Sequence, residues 1–366
     1  MTRLALALTL AAAPVAVLLA APAPAPAADA PTCQFQSATI VAPAGTAVTG
    51  TPGADVIVGL GDNTVDSGGG DDVVCIVSGH VTTGEGSDSV EVQPGGPQPT
   101  VVDLGGGRDR VRLTAGAASN LTLTADAGLD DDLTLTTTDA AYVADLAAGT
   151  LVREGVTVGH FSGFDTYVSA TGAAGRVDLR GTEGTDDLLV FGNHVDADLR
   201  GGDDRLELVS QFAGGDGSLQ GGSGADTFRL FTLRSIALDL RVGTVAVRNK
   251  AGRGSYRLAG FESYGGVSRQ AHVDGSSADD HVSIYGCRVT MRGAGGDDEL
   301  ELSPDNEDAG GELDCHGFHA FFRGGPGDDL LVGRRLRDVL LGGQGRDKAI
   351  GHGGGDLCRA EKQKSC

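Results

Sequence analysis

Four aspartates near the C-terminus, Asp329, Asp338, Asp347 and Asp356, follow one another at intervals of nine residues. Three of them end a glycine-rich run, in GGPGDDLL, GGQGRDKA and GHGGGDLC. A nonapeptide of the form G-G-x-G-x-D-x-U-x, with U apolar, is typical of half a coil of a parallel β-helix, in which a turn is followed by a short strand. Two such units complete a coil, so turns about eighteen residues apart are predicted to stack on the same side.

The composition favours a repetitive fold of many tight turns. The chain has 366 residues, with 60 glycines, 12 prolines, no tryptophan and only 4% aromatic residues, and it shows no collagen-like triplet. A thick globular core is improbable with so few large side chains, whereas glycine permits positive φ and close backbone approach. We therefore expect an all-β chain whose backbone folds back repeatedly.

Residues 1–27 are predicted to be a secretory signal peptide. Arg3 supplies the positive start, residues 4–20 are apolar, and Ala25-Pro26-Ala27 forms a small-residue cleavage site. An uncleaved anchor helix is the alternative, but the apolar run is shorter than the roughly 20 residues of a membrane span, and no second one follows. The expected location is secreted or extracellular, with no membrane span after signal cleavage.

The formal charge of −22 makes nucleic acid an improbable partner. Crowded carboxylates resist compaction unless something neutralises them, and divalent cations do so. The alternative is an acidic surface that only confers solubility. The repeated placement of aspartate at the sixth position of a glycine turn favours the cation.

Six cysteines in an exported chain indicate three disulfides. Sequence alone leaves all pairings open, and proximity favours Cys33–Cys75, Cys287–Cys315 and Cys358–Cys366. The last pair would close a short loop at the end of the chain, where a repetitive sheet needs a cap.

Similar turns occur near the N-terminus and in a long internal duplication. Residues 53–90 place Asp55, Asn63, Asp72 and Asp88 in the sixth position, and GGGRDRV adds Asp109. Residues 181–209 match residues 275–303 at an offset of 94, while the GFDTY and GFESY elements are 97 apart, so the second copy carries an insertion. The duplicated turns contribute further candidates at the coil spacing: Asp186 with Asp204, Asp280 with Asp298, and Asp226.

The predicted organisation is a series of segments along one solenoid. Alternating runs such as LTLT indicate strands with one buried face, and no amphipathic helix is expected after the signal. The segments are residues 1–27 (signal peptide), 28–50 (N-terminal lead-in and cap), 51–135 (N-terminal repeats), 136–232 (first solenoid copy), 233–333 (second copy) and 334–366 (C-terminal repeats and disulfide cap).

With these motifs, the chain resembles the repeats-in-toxin (RTX), hemolysin-type calcium-binding proteins over most of residues 51–358. The resemblance is specific in the last forty residues, and the DLxxGT and GF(D/E)xY elements resemble lead-in coils of secreted members. Membership implies a right-handed parallel β-helix or β-roll, calcium ions held between successive turns, and folding triggered by calcium after export.

The best candidate calcium site is predicted between two intact turns of the C-terminal repeats. Aspartate carboxylates and glycine carbonyls are the hard oxygen ligands that calcium prefers. One turn supplies Gly325, Gly327 and Asp329, and the other supplies Gly343, Gly345 and Asp347. The alternative is that these residues only make turns.

Two departures from the repeat weaken other sites. The unit GRRLRD before Asp338 lacks its glycines, so the Asp338–Asp356 pairing is expected to bind calcium poorly. Asn63 keeps an oxygen ligand but carries no charge.

Other functions find less support in the sequence. No H-E-x-x-H or G-x-S-x-G motif occurs. A calcium-dependent polysaccharide lyase or epimerase could use Arg176, Asp178 and Arg180, although alternating charges on an outward strand explain them more simply. Zinc or copper at Cys315, His316 and His319 competes with a disulfide. We therefore expect a monomeric, calcium-dependent solenoid that acts as an extracellular structural or binding module. Its expected partner, besides calcium, is a cell-envelope or extracellular polysaccharide. The alternatives are a cell-surface adhesin and the polysaccharide lyase or epimerase.

Overall fold

The protein is described by a computed structural model. It covers residues 31–366 except 94–97, 115–119, 127–129, 137–140, 165, 171–174, 211–214, 233, 251, 304–312, 314, 316, 318 and 336. The predicted signal peptide lies outside the described residues. Pro31–Cys366 forms one compact unit. The predicted segment boundaries within it stay a prediction.

All regular structure in the described residues is β-strand, as the sequence predicts. None of these residues belongs to a helix long and apolar enough to cross a bilayer. The strands of the first half are β1 (Thr32–Cys33), β2 (Gln36–Ser37), β3 (Ile40–Ala42), β4 (Ala47–Thr49), β5 (Val56–Gly59), β6 (Asp62–Asp66), β7 (Val73–Ile76), β8 (Ser78–Thr82), β9 (Ser89–Val92), β10 (Thr100–Asp103), β11 (Arg110–Thr114), β12 (Leu121–Thr124), β13 (Asp132–Thr136), β14 (Ala141–Asp145), β15 (Thr150–Arg153), β16 (Val156–Ser162), β17 (Thr166–Ala170) and β18 (Arg176–Arg180). Those of the second half are β19 (Asp187–Phe191), β20 (His194–Asp198), β21 (Arg205–Val209), β22 (Asp216–Gln220), β23 (Thr227–Phe231), β24 (Ser235–Asp239), β25 (Thr244–Arg248), β26 (Arg253–Ala259), β27 (Ser263–Asp274), β28 (His281–Arg292), β29 (Glu299–Leu302), β30 (His319–Pro326), β31 (Leu330–Val332), β32 (Val339–Gln344), β33 (Lys348–Ile350), β34 (Leu357–Arg359) and β35 (Lys362–Lys364).

Most strands pair in parallel with the strand two places further along the chain. One series, here called the first row, runs β3, β5, β7, β9, β11, β13, β17, β19, β21, β23, β27, β28, β29, β31, β33 and β35. The second row contains β4, β6, β8, β10 and β12 and continues to β30, β32 and β34. The long strands β27 and β28 take part in both rows. A chain that alternates between two stacked rows is compatible with a β-solenoid.

A continuous apolar core is built from small side chains that point inward from successive strands. In β12, Leu121 and Leu123 are buried while Thr122 and Thr124 are exposed, and the neighbouring strand repeats the pattern with Leu133 and Leu135. Inward residues of each coil pack on those of the next, so narrow layers of valine and leucine suffice. This arrangement explains why the chain needs so few aromatic residues.

Antiparallel strands interrupt the second row at two places. β14, β15 and β16 form an antiparallel meander between β12 and β18, and β24, β25 and β26 form its counterpart after β22. The DLAAGT element and its match form the β14–β15 and β24–β25 turns of these meanders, and the insertion of the second copy lies between Thr244 and Gly260, the part of the chain that contains β25 and β26. The sequence analysis did not predict their antiparallel pairing, because an apolar–polar alternation is the same for both strand directions.

The three predicted disulfides are confirmed. They join Cys33 to Cys75, Cys287 to Cys315 and Cys358 to Cys366. The first holds the β1–β2 hairpin against the outward face of β5 and β7, where Val58 is buried. The second attaches Cys315 and the buried Leu313 to the outward side chains Phe231, Val267 and Tyr285. At the C-terminus, β35 is a fully exposed edge strand.

Candidate metal centre

Acidic side chains stack in register at the turns that lead into the first row. The backbone N–H of Asp329 donates to Oδ1 of Asp347 at 3.0 Å, and the N–H of Asp298 donates to Oδ1 of Asp329 at 3.0 Å. The predicted stacking of turns eighteen residues apart is therefore present. Each carboxylate accepts a hydrogen bond from the acidic residue of the preceding coil.

The same bond pattern forms three separate ladders. The first ladder contains Asp55, Asp72, Asp88, Asp109 and Asp131; the second contains Asp186, Asp204, Asp226 and Glu262; the third contains Asp280, Asp298, Asp329, Asp347 and Glu361. Eleven of the eighteen predicted ligand residues lie in these ladders. Asp338 and Asp356 lie on turns that lead into the second row, where the Asp338 N–H donates to Oδ1 of Asp356 at 2.8 Å.

 Asn63 belongs to none of the three ladders.

In most of these turns the second carboxylate oxygen is buried without a hydrogen-bond partner. We call these residues the open aspartates: Asp72, Asp88, Asp109, Asp204, Asp226, Asp298, Asp329, Asp347 and Asp356. Their Oδ2 atoms have almost no exposed surface and accept no hydrogen bond from the described part of the chain. A buried carboxylate oxygen without a donor is costly, and a cation is the usual compensation. These orphaned oxygens are therefore the feature of the turns that most directly fits a metal ion.

Four aspartates of the same turns differ, and we call them the closed aspartates. In Asp55, Asp186, Asp280 and Asp338, Oδ2 accepts the N–H of the residue four positions earlier at 2.6–2.7 Å. In three of them a threonine or serine hydroxyl also donates to the carboxylate. Each of the three ladders begins with a closed aspartate.

The backbone of the turn separates the two classes. Numbering the repeat from its first glycine, positions 2 and 4 have positive φ in every turn of an open aspartate. The pairs are Gly68/Gly70, Gly84/Gly86, Gly105/Gly107, Arg200/Gly202, Gly222/Gly224, Ala294/Gly296, Gly325/Gly327, Gly343/Gly345 and His352/Gly354. Position 2 of the closed turns, where the donating N–H lies, does not have positive φ. The left-handed turn thus takes the position-2 N–H away from the carboxylate.

In the C-terminal repeats, glycine is required at residues 343 and 345 because neighbouring coils touch there. Gly343 and Gly345 have φ of +146° and +143°, and a Cβ on either would lie 1.9 Å from the carbonyl oxygen of Gly325 or Gly327. Any side chain would therefore collide with the backbone of the preceding coil. The four predicted glycine ligands accordingly lie together in two contacting turns, which pair Gly325 with Gly343 in register.

Three open turns contain a residue other than glycine at position 2. Arg200, Ala294 and His352 have φ of +71°, +83° and +60°. Such conformations are uncommon for residues with a Cβ and persist where surrounding structure imposes them. The left-handed turn is thus retained even where the sequence does not favour it.

Burial and repulsion from neighbouring aspartates raise the pKa of five of the open carboxyls: Asp88, Asp109, Asp204, Asp298 and Asp329. Burial raises the pKa of Asp109 and of Asp298 to about 7, and that of Asp204 to about 6, with further increases from the neighbouring aspartates of each ladder. Among the closed aspartates, the Thr51 N–H lowers the pKa of Asp55, whereas burial raises the pKa of Asp186, Asp280 and Asp338. A stack of such groups is unfavourable when ionised and becomes favourable when a cation is bound.

Three ladder residues were not among the predicted ligands. Asp131 accepts the N–H of Asp109, Glu262 that of Asp226, and Glu361 that of Asp347. Their separations of 22, 36 and 14 residues depart from the regular coil spacing. The repeated GF(D/E)xY element was the one signal in the sequence that could have identified Glu262.

Two predicted ligands occupy different surroundings. Asn63 lies in the second row, where its side-chain amide donates to the carbonyl oxygen of Pro43 and its Oδ1 accepts the N–H of Gly61. Asp338 accepts N–H groups from both Arg334 and Ala320. Both side chains are supplied with protein partners, and weak calcium binding at Asp338 stays a prediction.

The alternative sites of the sequence analysis have structural explanations. Arg176 and Arg180 of β18 form ion pairs with Asp196, Asp145 and Asp178, while Val177 and Leu179 of the same strand are buried. Cys315 forms a disulfide. His316 lies outside the described residues.

Within the ranges that the structure describes, no three His, Cys, Asp or Glu side chains gather around one point. A metal at the open turns would therefore depend on backbone carbonyl oxygens in addition to the carboxylates. Calcium accepts such mixed oxygen ligands, whereas zinc favours nitrogen and sulfur. The donor set fits calcium better than a transition metal.

No protein-family model matches the chain, and a search of curated proteins finds no match. The functional interpretation therefore depends on the turns themselves.

Proposed function

We propose that this protein is a secreted calcium-binding β-solenoid of the RTX type, which calcium stabilises and which acts as an extracellular structural or binding module. The resemblance of its repeats to hemolysin-type sequences supports a right-handed winding. The observation that carries the proposal is the series of buried Oδ2 atoms without donors, all in left-handed glycine turns.

Calcium would act by removing the cost of stacking carboxylates. In the open turns the carboxylates keep one oxygen for the backbone of the neighbouring coil and leave the other unpartnered. A divalent cation supplies the positive charge that this oxygen lacks. The closed aspartates are already supplied with N–H donors, so we assign them a structural role at the start of each ladder.

The test compares an open pair with a closed residue. Replacing Asp329 and Asp347 by asparagine removes two unpaired charges but leaves the side-chain shape. Thermal unfolding followed by circular dichroism, in calcium and in chelator, should then show a stabler metal-free protein and a smaller calcium response. Asp280→Asn is the matched control, because it removes an acceptor of the Ser276 N–H. It should destabilise both forms by about 1 kcal/mol and leave the calcium response intact.

The size of the response follows from mass action. Extracellular calcium sites commonly have dissociation constants of about 0.1–1 mM. Calcium at about 100 times the dissociation constant stabilises a one-site protein by about 2.7 kcal/mol. Identical unfolding of the wild-type protein in calcium and in chelator would contradict the proposal, as would an equal loss of response in both variants.

A further inference from the structure

The outward face of the first row carries an open groove away from the turns. It has a volume of about 530 Å³ and is lined mainly by residues of β9, β11 and β13, with Phe191 of β19 at its far end. These strands pair directly with one another in parallel register. Because their backbone groups are already used within the sheet, only side chains can recognise a ligand there.

The side chains of the groove provide hydroxyl groups, charges and an aromatic ring. Thr114, Thr134 and Thr136 line it, and their hydroxyls form no hydrogen bond with the rest of the described chain. Phe191 is half-buried. A glycan-binding surface needs polar groups that bind sugar hydroxyls and an aromatic ring that packs against the apolar face of a sugar. This groove has both.

Arg112 indicates the charge of the ligand. Arg110 is paired with Asp132 at 2.8 Å, whereas Arg112 is half-buried and has no ion pair with a described carboxylate, although Glu91 lies opposite on the adjacent strand. In a chain with a net charge of −22, this groove has two arginines for its two acidic residues. It is therefore a place where an anion meets little repulsion and finds an available guanidinium.

The tip of the β1–β2 hairpin lies on β9 beside the groove, although no hairpin residue lines it. Gln34 at its tip exchanges hydrogen bonds with Ser89 at 2.8 and 3.1 Å, and Ser89 is the register partner of Arg110. The next residue, Phe35, is fully exposed and has φ of +67°, an unusual conformation for a bulky side chain. The disulfide at Cys33 fixes this hairpin on the sheet.

We propose that the groove lined by Arg112 and Phe191 binds an extended acidic glycan, with Arg112 contacting a carboxylate of the sugar chain and Phe35 of the adjoining hairpin adding a further contact. The proposal gains further support if the proposed calcium function holds. Asp88 and Asp109 immediately precede β9 and β11, so bound calcium would add positive charge beside the groove.

The experiment measures binding of a purified hexa-galacturonate and of the neutral cello-hexaose to the mature protein by isothermal titration calorimetry. The acidic oligosaccharide should bind and the neutral one should bind much more weakly. Arg112→Gln should weaken binding about tenfold, since a charge-assisted bond is lost. Arg257→Gln is the matched control, because Arg257 is exposed on β26 and does not line the groove. It removes the same charge and should change the affinity less than about twofold, since salt screens charges that do not contact the ligand. Phe35→Ser, a change at a fully exposed residue, should also weaken binding.

Equal affinity for the two oligosaccharides would overturn the assignment of an acidic ligand. Lack of binding, or unchanged affinity in both Arg112→Gln and Phe35→Ser, would overturn the groove itself. Thermal unfolding in calcium and chelator is recorded on the same samples. A normal calcium response without glycan binding contradicts only the groove, whereas glycan binding without any calcium response supports the groove and contradicts the proposed calcium function.

Discussion

The raised pKa values of the ladders predict an unusual dependence of stability on pH. In the metal-free protein, burial holds the pKa of Asp109 and Asp298 at about 7 and that of Asp204 at about 6, against an ordinary value of 3.8. Between these limits the folded protein binds more protons than the unfolded chain. Its stability is therefore complete below the unfolded pKa and falls as the pH rises through about 6 to 7.

The magnitude follows from the same shifts. One pKa unit corresponds to about 1.4 kcal/mol, so complete conversion would give about 3–4 kcal/mol for each carboxyl. These groups lie at turns near solvent, and we take half of that value to allow for screening. The expected loss is about 2 kcal/mol for each carboxyl and about 6 kcal/mol for the three together.

Urea unfolding of chelator-treated protein at about pH 4.5, 6 and 7.5 measures this loss. The free energy of unfolding should be highest at the lowest pH, and added calcium should restore stability at the highest, since calcium binds the ionised carboxylates. Asp298→Asn removes one of the titrating groups and should reduce the slope. A metal-free protein that gains stability from pH 4.5 to 7.5 would refute the reasoning.

Three further predictions concern the turns and the N-terminal disulfide. Gly345→Ala should lower the free energy of unfolding in denaturant by about 1–3 kcal/mol, because its Cβ would collide with a carbonyl oxygen of the preceding coil. Gly53→Ala is the control: Gly53 occupies the same position of a closed turn with open space around it, so its free energy of unfolding should hardly change. Ala294→Gly should raise the free energy of unfolding by about 1 kcal/mol by relieving its positive φ, and a loss of stability would show that the strain is absent. Replacing Cys33 and Cys75 by serine should lower stability by about 2–4 kcal/mol and speed proteolysis of the β1–β2 hairpin; unchanged proteolysis would show that other contacts hold it.

The regular part of the fold could be predicted because its information is local. The nine-residue spacing places Asp329 and Asp347 on successive coils, and the structure stacks them. The disulfides were predictable for the same reason, since each pair is close in sequence. Where the coil length varies, as between Asp226 and Glu262, spacing gives no guide to the next residue of the ladder.

The distinction between open and closed aspartates is harder to predict from sequence. Glycine at position 2 indicates an open turn, but Arg200, Ala294 and His352 adopt the same conformation without being glycine. Contacts with the adjacent coil must impose the positive φ at these three residues, and the sequence of a single repeat does not reveal such contacts. Asn63 shows the converse: it occupies the sixth position of a repeat, yet its side chain is used to hold a turn of the second row.

The last strand of the first row has a consequence for self-association. A parallel sheet that grows by adding one strand after another has no intrinsic length limit, and its free edge is a template for a second molecule. In β35 that edge carries Lys362 and Lys364, both exposed, beside the loop closed by the Cys358–Cys366 disulfide. An incoming identical strand would bring lysine against lysine, so polymerisation into fibres is opposed at this end.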